Sequence, residues 1–178
     1  SFRLDPGILA DIESAFTSDL PQQKPFRITF FFSRHAVGYH VGFSDIARGG
    51  WRSILCKTSD ERTTNTSSLF KEVYVLAYTQ HLKNKDIYEG GAKLTLVVDV
   101  SDVTSPALVT HRLYKAQYGV TNAFLDLFVT EKGHAKHPRV VDYYGEDEPI
   151  EIGPDENMSD PMIEFIAAQS LKRGYVLG

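Results

Sequence analysis

The stretch Leu94-Thr-Leu-Val-Val-Asp99 constrains this chain more than any other. A strand with one wet face alternates apolar and polar residues, whereas a strand covered on both faces reads as a nearly continuous apolar run. This run is of the second kind, so it belongs at the centre of a sheet with helices on both sides. The chain supplies those helices. Leu69, Val73 and Leu76 recur at four- and three-residue steps, with Tyr78 two residues further on, in a helix running up to Leu82. Ser105-Pro106 opens a long helix through about Val129, carrying Leu108, Leu113, Ala116, Val120, Phe124, Leu127 and Phe128. Ser159 caps a helix to Leu171, with Pro161 near its start and Gly174 after its basic end.

The remaining strands are readable from alternation. Phe26, Ile28, Phe30 and Phe32 alternate with Arg27, Thr29, Phe31 and Ser33, and the β-rich run from Val37 to Phe43 follows closely enough to pair with it as a hairpin. A short strand is expected around Ile150 to Ile152. Asp5-Pro6 predicts a short opening helix through Ile8, Leu9, Ile12 and Phe16. Two glycines interrupt Ala47 to Arg52, and Thr58 to Ser68 has no apolar period, so both are read as parts of a long loop. The result is an α/β fold: a mixed β-sheet flanked by helices, layered α/β/α, in one domain over residues 1–178.

Charge and cysteine content narrow the function. Nineteen basic against twenty-three acidic side chains, with no block of five like charges, argue against a nucleic-acid partner or a polybasic membrane patch. No apolar stretch approaches the roughly 18 residues of a membrane span. Cys56 is the single cysteine, so no intrachain disulfide forms and a reducing, cytoplasmic setting is indicated. The sequence begins at Ser1 and stops soon after a helical segment, which suggests a piece of a longer polypeptide.

The chemistry concentrates at two glycine pairs. Gly49-Gly50 lies between Arg48 and Arg52, and Gly90-Gly91 lies between Lys83 and Lys93. Glycine lets a backbone approach a ligand closely, and cations gathered at both loops would suit a dicarboxylate. The alternative at this point is glycine turns beside solvated cations. Neither pair is a Walker loop, and Gly-x-Gly-x-x-Gly is absent, so no dinucleotide site is present. His134 and His137 lack companions for a metal, the other histidines are scattered, and Cys56 beside Lys57 reads as an incidental thiol. Asp155 follows Pro154 in a restrained turn just before the last helix, where a carboxylate can be aimed into a cleft.

Three ordered motifs resemble the large NAD-specific glutamate dehydrogenases. They are Phe43-Ser-Asp-Ile-Ala-Arg-Gly-Gly50; Gln80-His-Leu-Lys-Asn-Lys-Asp-Ile87 with Glu89-Gly-Gly-Ala-Lys93; and Gly153-Pro-Asp-Glu-Asn-Met158. The resemblance runs from about Phe26 to Gly174 and covers the substrate-binding half of that family's catalytic core. It implies that Arg48, beside Gly49 and Gly50, reaches the distal carboxylate of L-glutamate and that Lys83 grips the α-carboxylate. Lys93 is implied as the catalytic lysine that polarises the attacking water, and Asp155 as the proton shuttle to departing ammonia. NAD is implied as cofactor, held by a Rossmann domain elsewhere in the parent chain, with 2-oxoglutarate as product and a homo-oligomer as the assembly. The isolated chain is expected to be inactive. Leu94 stands where relatives have glycine and is expected to keep ordinary strand dihedrals. The rival expectation is a non-catalytic regulatory or amino-acid-sensing domain of the same fold.

Overall fold

The computed structural model describes residues 1–83 and 89–175. Strand β1 (Phe2–Leu4) leads into a 3₁₀ turn over Pro6–Ala10 and the single-turn α1 (Ser14–Thr17). The expected opening helix is therefore broken in two. Asp5 does cap the first piece, accepting from Gly7 N, but no residue of either piece is buried, so nothing holds them in one helix. Strands β2 (Arg27–Phe32) and β3 (Ala36–Gly42) form the expected antiparallel hairpin.

The next segment differs from its sequence reading. Ala47–Cys56 is strand β4, and Ser59–Leu82 is one 24-residue helix, α2. The glycine pair lies inside β4, with Gly49 opposite Ala92 and Gly50 opposite Lys93. The first turns of α2 carry no apolar stripe because they are mostly exposed. They are held by a capping box, in which Thr58 accepts from Glu61 N and Glu61 accepts from the Thr58 backbone. Thr63, Asn65 and Thr66 each donate back to the carbonyl four residues earlier.

Strand β5 (Gly90–Asp99) follows, then α3 (Pro106–Phe128), the small hairpin β6 (Thr130–Glu131) and β7 (His134–Ala135), β8 (Ile150–Pro154) and α4 (Asp160–Arg173). The main sheet has the order β1-β2-β3-β5-β4-β8. β4 runs parallel to both β5 and β8, and the other pairings are antiparallel. The sheet is mixed and β5 lies inside it, as its apolar run requires.

Two cores sandwich the sheet and make the α/β/α layers. On one side Leu69, Val73, Tyr74 and Ala77 of α2 meet Ile28, Val41, Phe43, Cys56 and Val97. On the other, Leu113, Ala116, Val120, Phe124 and Phe128 of α3 meet Trp51, Leu94, Leu96 and Val98. Those α3 residues recur at three- and four-residue steps, the stripe a core-facing helix needs. Cys56 is fully buried, and burial pushes its thiol above the ordinary range, the reverse of an activated thiol. No helix among the described residues is long and apolar enough to cross a membrane.

Candidate active site

The alternation of strand side chains selects which residues share the site. In β4, β5 and β8, Trp51, Leu94, Leu96, Ile150 and Ile152 pack on the α3 side. The intervening residues Arg48, Gly50, Lys93, Glu151 and Gly153 therefore face α2, and Asp155 continues that parity just past β8. The last turns of α2, with Leu76, Thr79, Gln80 and Lys83, close the opposite wall of a cleft of about 370 Å³.

The six site residues named with the resemblance meet there, and Arg52, the fourth cation beside the glycine pairs, does not. Arg48, Gly49, Gly50, Lys83, Lys93 and Asp155 line the one cleft. Lys83 is the C-cap of α2. It is brought to the sheet because Gly91 leaves room for the helix end: a Cβ on Gly91 would lie 1.9 Å from His81 N. Residues 84–87 of the second motif lie outside the described residues. Leu94 sits within β5, and the only non-glycine described residues with positive φ are Lys132 and Asn157, so Leu94 keeps ordinary strand dihedrals. Arg52 is not in the cleft. It is held between Glu72 at 3.1 Å and Glu156 at 2.7 Å.

Lys93 Nζ donates to Asp155 Oδ2, with the lysine side chain 14% exposed and the aspartate 44%. That hydrogen bond, opposed by partial desolvation and reinforced by the lysine charge, holds the Asp155 carboxyl below the ordinary range. The pair couples an ammonium and a carboxylate at a cleft floor, an arrangement able to pass a proton between a bound molecule and either group. Arg48 Nε lies 2.8 Å from Glu89 Oε1.

Sequence reasoning missed the residues that fix Asp155. The turn after β8 contains Asn157 with φ 58°, whose Nδ2 donates to Ser53 O at 2.7 Å. Gln117, fully buried on α3, donates to Asn157 O at 2.8 Å and lies 3.1 Å from Ser53 Oγ. The Asp155 backbone N donates to Trp51 O. A polar residue inside the apolar stripe of α3 was the one readable sign. Glu151, also unforeseen, follows from the parity of β8.

No metal site accompanies the cleft: among the described residues no three His, Cys, Asp or Glu side chains gather to hold an ion. Neither glycine pair forms a dinucleotide cradle, since both lie in strands rather than at a helix N-terminus.

Fold and cleft together define an α/β domain whose cleft gathers Arg48, Lys83 and a lysine–aspartate pair. The chain is homologous to a segment of the large NAD-specific glutamate dehydrogenases. It is 35% identical over 162 residues to glutamate dehydrogenase 2 of Dictyostelium discoideum, covering 91% of this chain and 14% of that protein. Against the NAD-specific glutamate dehydrogenase of Neurospora crassa it is 35% identical over 176 residues, covering 98% of this chain and 15% of that protein. The chain thus spans about a seventh of the length of these relatives. No protein-family model matches. Among solved structures, L-tryptophan dehydrogenase from Nostoc punctiforme aligns at a TM-score of 0.42 and 9% identity, over 88% of this chain and 37% of that one, too low to bear on the site.

Proposed function

We propose that this chain is the substrate-binding segment of an NAD-dependent glutamate dehydrogenase, which converts L-glutamate to 2-oxoglutarate and ammonia. The observation that carries the reading is the convergence of Arg48, Lys83, Lys93 and Asp155 on one cleft from four separate elements. The similarity to proteins named NAD-specific glutamate dehydrogenase supports it. Arg48 and Lys83 supply two cations for the two carboxylates of the substrate. Lys93 polarises the water that attacks the substrate's iminium carbon, and Asp155 carries a proton to the leaving ammonia. NAD is the cofactor of this proposal and would supply the acceptor for the hydride that the substrate's α-carbon loses as the iminium forms. The described residues do not fit it, so its binding falls to a Rossmann domain in the rest of the parent polypeptide, and the homo-oligomeric state belongs to the same proposal.

In the parent enzyme, Lys93→Ala should lower kcat by about 10²- to 10⁴-fold, the usual contribution of a positioned acid or base, while KM for glutamate changes far less. An unchanged kcat with a raised KM would reassign Lys93 to carboxylate binding. Full activity in the variant would leave a non-catalytic domain as the reading.

A further inference from the structure

Arg48 has a carboxylate on each side. Glu89, immediately before β5, lies against its Nε, with the Glu89 side chain 17% exposed and the Arg48 side chain 48%. The contact is an ion pair rather than an aligned hydrogen bond, for Glu89 Oε1 has no hydrogen-bond partner. On the other side, Glu151 is the register partner of Arg48 across the β4–β8 pairing and lines the cleft. Glu151 forms no ion pair among the described residues, although in-register neighbours on one sheet face are within reach of long side chains.

The two carboxylates differ in a way that matters for the ligand. Glu89 does not line the cleft, and its backbone is pinned by the bond from Gly90 N to Ile46 O at 2.8 Å. A guanidinium has five donors in a planar fork. A carboxylate fixed on the Nε side leaves the two terminal nitrogens for another carboxylate. An arginine this exposed and without such a partner would be free to turn onto Glu151, where it would neutralise itself inside the cleft.

We propose that Glu89 is a positioning residue: it draws Arg48 away from Glu151 and presents the terminal edge of the guanidinium to the distal carboxylate of a dicarboxylic substrate. The proposal rests on the reading of Arg48 as the distal-carboxylate group. It makes Glu89, which does not line the cleft, a determinant of dicarboxylate selectivity.

The test compares glutarate with butanoate, a five-carbon dicarboxylate and a monocarboxylate, by calorimetry on the 178-residue chain. The wild-type chain should prefer glutarate, and Glu89→Ala should cut that preference about tenfold through weaker glutarate binding. Glu89→Gln, which keeps an acceptor oxygen near Nε, should retain part of it. Adding Glu151→Gln to Glu89→Ala should restore much of the loss, because the competing carboxylate is gone. Three results would overturn the proposal: a preference untouched by Glu89→Ala, tighter glutarate binding in that variant, or no recovery in the double variant. A wild-type chain without a preference, or a preference that survives Arg48→Met, would instead sink the reading of Arg48 and the proposal with it.

Discussion

Gly50 lies directly beneath the Lys93 ammonium: a Cβ placed on it would sit 3.3 Å from Lys93 Nζ and 3.1 Å from Asp155 Oδ2. Those atoms end flexible side chains, so Gly50→Ala should fold with stability changed by less than ~1 kcal/mol, yet lose activity in the parent enzyme as the pair is pushed apart. Gly91→Ala should do the opposite. Its Cβ would meet the backbone of His81 at 1.9 Å, so the end of α2 must move, and chemical denaturation should show a loss of ~3 kcal/mol or more. Equal stability losses in the two variants would contradict this division.

The lowered Asp155 carboxyl gives a direct spectroscopic test. Its titration, followed by carboxyl-carbon NMR, should fall below the ordinary range in the wild-type chain and rise toward that of a free aspartate in Lys93→Met, since the hydrogen bond from Lys93 is the leading cause. A depressed carboxyl contributes stability above its unfolded pKa that is lost as pH falls through the folded value. The Lys93→Met chain should therefore lose less stability on acidification than the wild type. An unmoved titration in the variant would mean that the pair does not persist in solution.

Gln117 separates positioning from folding. Gln117→Leu keeps the size of the side chain but removes its bonds to Asn157 O and Ser53 Oγ, at an expected cost of ~1–3 kcal/mol. In the parent enzyme the turn bearing Asp155 should loosen, so that kcat falls while KM for glutamate stays within about twofold. Gln117→Glu, which retains an acceptor but not the donor, should not rescue kcat. A variant that loses stability alone would make Gln117 purely structural.

His40 should make the fold acid-sensitive. It is fully buried beside Phe124, neither ring nitrogen has a hydrogen-bond partner, and burial, helped by Arg27 and Arg3, pushes its pKa down to about 3. Unfolded histidine titrates near 6.5, so between about 6.5 and 3 the unfolded chain binds a proton the native chain refuses. Stability from this group is complete above about 6.5 and falls with decreasing pH, by at most ~1.4 kcal/mol per unit. His40→Leu should flatten the stability profile from pH 6.5 to about 4. An identical slope in both chains would show that His40 does not set it.

The sheet centre and α3 were legible because their burial is regular: Leu94 to Val98 is buried throughout, and α3 repeats its apolar residues at three- and four-residue steps from Leu113 to Phe128, whereas α4, with Met162 and Ser170 as its buried residues, was legible from Pro161 at its start and Gly174 at its end. β4 was hidden by Gly49-Gly50, since glycine lacks the side chain that would announce a strand. The first half of α2 was hidden for a different reason. Thr58 to Ser68 buries almost nothing, so no periodic stripe exists there to be read, and its sign was the Thr58…Glu61 capping pair. At the site, the cations and Asp155 were legible through motif resemblance, whereas Gln117, Glu151 and Glu89 act through register and packing that become visible only when the strands are paired.

The parity of the β8 side chains also limits how this sequence can change length. Inserting or deleting one residue within Ile150–Pro154 would exchange the two faces. Isoleucines would then enter the cationic cleft, and Glu151 would be driven into the apolar core under α3. The same change in the loop between β7 and β8 leaves the parity intact. Length variation among descendants of this chain should therefore collect before Ile150, with the interval from Ile150 to Asp155 held at a constant count however far the side chains drift.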